Sequence, residues 1–424
     1  MQIIENLKVK EKVFIEKLQN GLTVMIIPKK DTSKKYVIFG TNFGSIDNHF
    51  IIPKNNEETT IPDGVAHFLE HKLFEQSNGT NSLDILSSLG VEANAYTTND
   101  HTAYLFESTF NFYEALDELM NYVQNPYFTD QNVEKEKGII GQEINMYDDE
   151  PSWQVYMNAM KLMYKQNPIN IDIAGSIESI SKINKEILYN SYNTFYNLSN
   201  MLLVVCGDFV PEDLLQEIKN RITKNEEQGE IKRIYPEEQD QIVAKEKIVT
   251  MDVINPIFAI GFKDKVADKK DLVKKHIAIE IILYMLLGKS SKIYKKLYEN
   301  GDIMSQPDLD YEFAKNYAHV LITGMAKNPQ NIVKELKEEI KNYKESGLDE
   351  KTFDRVKKKI YGDYVTEYNE VSNIARMFLA DYFKGINSFD YLEEYEQVTT
   401  QYANQVLKEV FRDDNMVVSI VKGK

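Results

Sequence analysis

The pentapeptide at residues 67–71, His-Phe-Leu-Glu-His, constrains the fold of this chain more than any other segment. In an α-helix, residues four apart lie on one face, so His67 and His71 can direct two imidazole nitrogens at a single ion, with Glu70 beside them. Two such ligands do not complete a metal site, because zinc needs a third protein ligand and, for catalysis, an open position for water. The chain must therefore bring another segment to this helix.

The order of these residues is the inverted motif H-x-x-E-H, in which two histidines hold zinc and the glutamate acts as general base. With six histidines and 66 acidic residues in 424, chance predicts about 0.01 such matches. Two surface histidines without a metal are the alternative interpretation. The motif predicts a zinc hydrolase with His67 and His71 as ligands and Glu70 as base.

Two glutamates later in the chain are candidates for the third ligand. A helix is predicted to begin at Asp130, and Glu136 and Glu143 are seven residues apart on it, hence on one face after two turns. One can ligate the metal while the other supports a histidine or the water, and spacing does not choose between them. A solvated Glu/Lys face is the alternative, but it fits Glu134 better than Glu143, which stands among apolar residues.

Composition excludes several classes of function. A net charge of −16 argues against nucleic acid as a partner, since phosphate binding needs basic patches. The apolar stretch 277–287 contains Glu280 and is too short to cross a bilayer. The single cysteine, Cys206, cannot form an intrachain disulfide, and the first residues do not resemble a signal peptide. We predict a cytoplasmic protein without a membrane span.

The chain divides into two halves of similar plan. Its length exceeds what one hydrophobic core usually serves, and a polar stretch predicts a linker at 223–241 between an N-terminal zinc-binding domain, 1–222, and a C-terminal non-catalytic domain, 242–424. Similar turns at 123–130 and 343–350 each precede a Lys/Glu-rich helix, which predicts a duplicated α+β unit.

Apolar periodicity and turn residues predict individual elements within these halves. The strands are predicted at 22–27, 36–43, 93–98, 101–108, 201–206, 255–262 and 319–324. The helices are predicted from Val65, with Asp63 as its N-cap, and at 82–89, 112–124, 130–146, 271–287, 289–299, 331–343 and 349–368.

These motifs together resemble the pitrilysin/insulinase family of zinc peptidases. The pentapeptide is followed about seventy residues later by Glu136 to Ile144 and then by Asp149-Glu150-Pro151. The chain is similar in size to short bacterial members related to mitochondrial processing peptidase. The resemblance implies an α+β fold of two homologous domains, each a mainly antiparallel sheet packed with helices. It also implies that Glu143 is the third zinc ligand. The implied catalytic residues are Glu70 and Glu136, and Glu136 is the supporting acid.

A strand of that family, read as Asn-Ala-aromatic-Thr after a glycine, has a counterpart at 90–97. By resemblance, this edge strand pairs with the backbone of an extended peptide substrate. An ordinary core strand is the alternative. The predicted substrate-binding residues are Asn94, Ala95, Tyr96 and Thr97.

One departure from the family concerns the Arg and Tyr that polarise the scissile carbonyl in catalytic members. Tyr298 stands where the Arg is expected and Ser305 where the Tyr is expected. Since one lost oxyanion donor typically costs about 10²- to 10³-fold in rate, the resemblance implies a zinc-bearing subunit that forms a heterodimer, in preference to a homodimer, with a homologous Arg/Tyr-bearing partner. Short unstructured peptides are the implied substrates. A catalytically silent peptide-binding or assembly subunit is the alternative, as is hydrolysis of a bond other than a peptide bond.

Overall fold

The structure is a computed structural model that describes residues 1–223 and 228–424. The strands are β1 (Gln2–Asn6), β2 (Glu11–Lys17), β3 (Thr23–Pro28), β4 (Lys35–Thr41), β5 (His49–Ile52), β6 (Glu57–Thr60), β7 (Glu92–Thr97), β8 (Thr102–Ser108), β9 (Met201–Gly207), β10 (Lys232–Arg233), β11 (Glu246–Thr250), β12 (Ile257–Asp264), β13 (Asp308–Phe313), β14 (Ala318–Met325) and β15 (Met416–Lys422).

The α-helices follow the same chain order. They are α1 (Val65–Leu73), α2 (Ser82–Ser88), α3 (Phe112–Gln124), α4 (Asp130–Asp148), α5 (Pro151–Met163), α6 (Ile177–Ser181), α7 (Lys185–Phe195), α8 (Pro211–Asn220), α9 (Leu272–Leu287), α10 (Lys292–Glu299), α11 (Pro329–Ser346), α12 (Glu350–Glu367), α13 (Val371–Lys384), α14 (Asp390–Gln397) and α15 (Thr400–Val410).

The residues pack into two compact units, each assembled from separate stretches of sequence. Unit 1 comprises 1–144, 172–235 and 366–388, and unit 2 comprises 145–171, 236–365 and 389–424. Helix α5 from the first half of the chain therefore belongs to unit 2, and α13 from the second half belongs to unit 1. The contiguous domains 1–222 and 242–424 stay a prediction, because packing units and homologous segments need not coincide. The predicted linker lies partly outside the described residues, at 224–227.

Five strands of the main sheet of unit 1 have the same topology as the main sheet of unit 2. In unit 1 the order is β1-β2-β3-β9-β4-β8-β7, with a small separate sheet β10-β5-β6, and in unit 2 it is β11-β15-β12-β14-β13. In each main sheet one pair is parallel, β3 with β9 and β11 with β15, and the other pairs are antiparallel. The five strands β3-β9-β4-β8-β7 thus repeat the strand order and pairing of the sheet of unit 2. This repetition confirms the predicted α+β fold of two similar, mainly antiparallel domains.

The core of unit 1 lies on its central strands. Every residue of β9 is buried, and so are six of the seven residues of β4. Such unbroken apolar runs are expected of strands covered on both faces. Helix α13 packs on these strands so closely that a Cβ at Gly40 of β4 would lie 2.7 Å from Leu379. A larger residue at this position would require the side chains of Leu379 and Phe383 to shift.

Helix α1 packs on β7 and β8, at one end of the same sheet. The predicted N-cap Asp63 is wrong: the N-cap is Gly64, with φ of 93°, and no side chain caps the helix. Asp63 instead accepts a hydrogen bond from the Asn48 side chain at 2.9 Å. The left-handed conformation favours glycine, and a Cβ at Gly64 would lie 2.4 Å from the Ala174 carbonyl oxygen. Backbone conformation and close packing, not a capping side chain, set where α1 begins.

Candidate metal centre

Three predicted ligands come together where α1 faces α4. The rings of His67 and His71 have centroids 4.6 Å apart. On α4, Glu143 places Oε1 at 3.7 Å from His67 Nε2 and Oε2 at 3.5 Å from His71 Nε2. One ligand atom from each of the three residues lies within 4.8 Å of the other two, and no other trio of His, Cys, Asp or Glu in 1–223 and 228–424 is grouped in this way.

The spacing of these atoms fits a zinc ion. Ligand atoms about 2.1 Å from a tetrahedral zinc lie roughly 3.4 Å from one another, close to the 3.5 and 3.7 Å found between Glu143 and the histidine nitrogens. Two imidazoles and one carboxylate also form the kind of donor set that leaves a fourth position for water in catalytic sites. Both the chemistry and the distances therefore suit the metal.

The two glutamates on α4 occupy different places. Glu136 Oε1 lies 3.1 Å from His71 Nδ1, and its Oε2 lies 3.4 Å from the Nζ of Lys72. Glu136 thus contacts Nδ1 of His71, while Glu143 contacts Nε2 of the same ring. Burial raises the pKa of Glu136, but the bond to His71 and the charge of Lys72 outweigh it, so its pKa is lowered.

The histidines differ in electrostatic environment. Burial, together with the charge of the neighbouring imidazole, lowers the pKa of His67 to about 3, which keeps it neutral. Burial also disfavours protonation of His71, but the hydrogen bond with Glu136 and the negative charges of Glu70, Glu136 and Glu143 raise its pKa. The buried Nδ1 of His67 has no hydrogen-bond partner among the described residues. Only His71 therefore has a carboxylate bracing its second nitrogen.

Glu70 lies beside the candidate ligands and forms a hydrogen bond with a residue of the main sheet. Thr97 Oγ1, on β7, donates a 2.6 Å hydrogen bond to Glu70 Oε2. Burial raises the pKa of Glu70, and the bond from Thr97 opposes that rise. A carboxyl group with a raised pKa, fixed in direction, is suited to exchanging protons with a water molecule.

The predicted substrate strand is β7, which ends the strand order of its sheet. Asn94 and Ala95 line a cavity of about 430 Å³ whose other wall includes Glu70 and His71. Tyr96, on the opposite side of the strand from Ala95 and Thr97, stacks against the Arg376 guanidinium, 5.3 Å from the ring centroid. The structure thus brings Ala95 and Thr97 to the metal centre, places Asn94 in the lining of the adjoining cavity and directs Tyr96 elsewhere.

Lys72 is a residue of this centre that sequence reasoning missed. It directly follows the H-x-x-E-H motif, is completely buried, and forms ion pairs with Glu75 and Glu136. A signal was present, since a lysine interrupting an otherwise apolar helix face needs a charged partner when it is buried.

The residues at the expected Arg and Tyr positions lie in unit 2. Tyr298, on α10, is 55% exposed and stacks on Tyr294 with centroids 5.8 Å apart, and Ser305 is exposed. In unit 1, Lys135 is the one Lys or Arg among the described residues lining the 430 Å³ cavity.

No helix in the described part of the chain combines the length and apolarity that a membrane span requires.

Comparison with known families finds two matches along the chain. The family model described as "Insulinase (Peptidase family M16)" matches residues 55–176, and "Peptidase M16 inactive domain" matches residues 182–360. The first of these matches contains the three candidate ligands and Glu70.

Individual relatives agree with these matches. A Bacillus subtilis protein described as "Uncharacterized zinc protease YmfH" is 40% identical over 425 residues, covering 99% of each chain. The crystal structure of an M16-like peptidase from Alicyclobacillus acidocaldarius superposes with a TM-score of 0.94 at 32% identity, covering 99% of this chain and 100% of that one. The bovine mitochondrial-processing peptidase subunit beta is 26% identical over 161 residues, which are 37% of this chain and 33% of that protein.

Proposed function

The chain belongs to the insulinase family of peptidases, family M16, and we propose that it is the zinc-bearing subunit of an endopeptidase that hydrolyses short unstructured peptides. The observation that carries this proposal is the convergence of His67, His71 and Glu143 beside Glu70. The names of similar proteins as zinc proteases support it.

His67, His71 and Glu143 hold the zinc in this proposal, and Glu136 orients His71 through its second nitrogen. When bound, zinc supplies Lewis acidity, which lowers the pKa of a water molecule and polarises a carbonyl group. Neutral His67 is ready to ligate, since an imidazole must be deprotonated to bind a metal.

Glu70 acts as the general base. Its carboxylate takes a proton from the attacking water and delivers it to the leaving amine. The hydrogen bond from Thr97 keeps one oxygen engaged and directs the carboxylate, while burial raises its pKa and so helps Glu70 to keep the proton until the amine departs.

The peptide lies along β7 as an added strand. Backbone pairing with an edge strand requires an extended segment, so unstructured peptides bind and folded proteins do not. Thr97 belongs to this same strand, so the element that holds the peptide also holds the general base.

A partner supplies the oxyanion donors. Tyr298 and Ser305 replace the expected pair, so a homodimer would lack it in both copies, and we propose a heterodimer with a homologous Arg/Tyr-bearing subunit. A relative that is itself named as a subunit supports this arrangement.

A catalytically silent peptide-binding or assembly subunit is the second candidate. The absence of the Arg and Tyr favours it, whereas the complete set of His67, Glu70, His71 and Glu143 favours catalysis. Metal analysis of the purified chain distinguishes the two, because the peptidase requires one zinc per chain and its loss in Glu143→Gln. Zinc well below one equivalent in wild type, or full zinc in Glu143→Gln, would contradict the proposed ligands.

The partner is tested with a quenched unstructured peptide. The isolated chain should cleave it weakly or not at all, and a homologue that bears the Arg and Tyr should raise the rate by at least about 10²- to 10³-fold through a 1:1 complex. A Lys135→Met variant checks whether the cavity lysine supports residual turnover. Efficient hydrolysis by the chain under conditions where sedimentation shows a monomer would falsify the split site.

A further inference from the structure

Lys72 is a fully buried lysine in the helix that carries the candidate ligands. Its side chain is 0% exposed and directly follows His71 in sequence. Burying an ammonium group is unfavourable unless it is paired, and Lys72 is paired on two sides, with Glu75 and with Glu136. A charge retained at this cost calls for a role that a Met or Leu of similar volume could not fill.

The ion pair with Glu136 leads directly to the metal centre. The two oxygens of Glu136 are divided between partners: Oε1 lies 3.1 Å from His71 Nδ1 and Oε2 lies 3.4 Å from Lys72 Nζ. With both oxygens engaged, the plane of the carboxylate is fixed. His71 can then donate from Nδ1 to Glu136, which leaves Nε2 without a proton, 3.5 Å from Glu143.

We propose that Lys72 is a positioning residue of the metal centre: it holds Glu136 in place, and Glu136 holds His71 with Nε2 directed at the metal. The inference rests on the proposed function only in taking His67, His71 and Glu143 as zinc ligands. It concerns the affinity for the metal, so it can be tested on the isolated chain without peptide or partner.

This role differs from ordinary packing in how it depends on Glu136. Residues behind a metal ligand typically contribute 10- to 100-fold to metal affinity. If Lys72 acts through Glu136, replacing Lys72 must weaken zinc binding when Glu136 is present. The same replacement must change zinc affinity little once residue 136 has lost its charge and cannot form the ion pair. If Lys72 only fills space, the two substitutions must act independently.

The experiment is a double-mutant cycle on zinc affinity, measured by competition with a chromophoric chelator at fixed pH and salt. Lys72→Met should weaken zinc binding about 10- to 100-fold, as should Glu136→Gln. In the Glu136→Gln background, adding Lys72→Met should change the affinity by no more than about twofold. The control is Lys182→Met, which removes an exposed lysine paired with Glu178 at 2.9 Å and should leave zinc affinity unchanged.

Two results would overturn the inference. The first is a zinc affinity of Lys72→Met equal to that of the wild type. The second is a double variant whose fold-loss of zinc affinity equals the product of the fold-losses of the two single variants. If Lys72→Met fails to fold because Glu136 is left unpaired, the double variant, which removes both charges, is compared with Glu136→Gln alone. Equal affinities support the inference, and a difference of tenfold or more contradicts it. A wild-type chain that binds no zinc would overturn the proposed function and this inference together, whereas tight wild-type binding with an unaffected Lys72→Met overturns the inference alone.

Discussion

Helices α1 and α9 occupy the same position in the element order of their units but differ in the polarity of their side chains. Each lies in chain order between the middle strand of the shared five-strand order, β4 or β12, and a second helix followed by the edge strand, β7 or β13, although β5 and β6 also precede α1. Helix α1 carries His67, Glu70, His71 and Lys72, whereas α9 buries apolar side chains on nearly every side. The buried residues of α9 are Leu272, Val273, Ile277, Ala278, Ile279, Ile281, Ile282, Leu283, Met285, Leu286 and Leu287.

The same position in this fold can therefore hold either a helix of polar residues or a helix of buried apolar residues. Which of the two is stable depends on whether the polar side chains find partners on neighbouring elements. In unit 1 three polar side chains of α1 are engaged by other elements: Thr97 of β7 binds Glu70, and Glu136 of α4 binds His71 and Lys72. In unit 2 the helix is stabilised by burial of apolar surface. Substitutions in α1 should therefore change chemistry, and those in α9 should change only stability.

The largest expected effect is that of Glu70→Gln. Loss of the proposed general base should lower peptide hydrolysis by the active complex about 10²- to 10⁴-fold, with zinc per chain unchanged because the proposed ligand set does not include Glu70. The matched control is Glu280→Gln, which alters the acidic residue of α9 and should leave turnover unchanged. Retained turnover in Glu70→Gln would assign the base elsewhere, with Glu136 the next candidate.

The same truncation in both helices should sharpen the comparison. Leu283 of α9 and Leu69 of α1 are each 0% exposed, so Leu→Ala at either position should lower the free energy of unfolding by about 2–5 kcal/mol. Zinc content should fall only for Leu69→Ala, because this residue lies between the ligands on α1. Urea unfolding and metal analysis of both variants check this. Zinc loss in Leu283→Ala would show that the two helices are not separable in role.

A smaller effect is expected for Thr97→Val, which removes the donor to Glu70 while keeping the side-chain shape. A hydrogen bond to a charged group is worth about 1.5–3 kcal/mol, so hydrolysis should fall roughly 10- to 100-fold with little change in zinc content. Thr97→Ser should restore most of the rate, since it keeps the hydroxyl. Equal rates for the Val and Ser variants would mean that the contact does not direct the base.

The smallest effect concerns a buried histidine in unit 2. Burial lowers the pKa of His319 to about 3, as it does for His67, but His319 bonds to the Tyr164 hydroxyl at 3.0 Å and belongs to no ligand group in the described residues. Because the folded-state pKa is below the unfolded value of about 6.5, stability is complete above pH 6.5 and is lost as pH falls toward 3.

At pH 5 this histidine should cost about 2 kcal/mol of stability relative to pH 7. His319→Gln should reduce the difference between the two pH values by that amount, as measured by urea unfolding of metal-free protein. An unchanged difference would mean that His319 is protonated in the folded state. Zinc affinity at pH 7 should be the same in both proteins, which would separate a buried histidine of the core from one of the metal centre.

Much of the fold follows from local pattern. Helix α3 was predicted with the bounds that the structure shows, and β4, β7, β9 and α9 within two residues at each end. The edge strand β13 and the small strands β5 and β6 escaped prediction, because short strands carry weak periodicity and depend on neighbours for their pairing. The N-cap at Asp63 was wrong for a similar reason, since a tight contact between Gly64 and Ala174 overrides capping preference.

The sequence by itself determined that His67, Glu70 and His71 share one helix face, because helical periodicity alone places them on adjacent positions. Spacing did not choose between Glu136 and Glu143, which share a face of α4, although the family resemblance implied Glu143; the tertiary structure places Glu143 with both histidines through the packing of α4 against α1. It also decided that Thr97 holds Glu70, a contact between residues 27 apart in sequence. Spacing along one helix is a local property of the chain, whereas contacts between elements depend on how the whole unit packs.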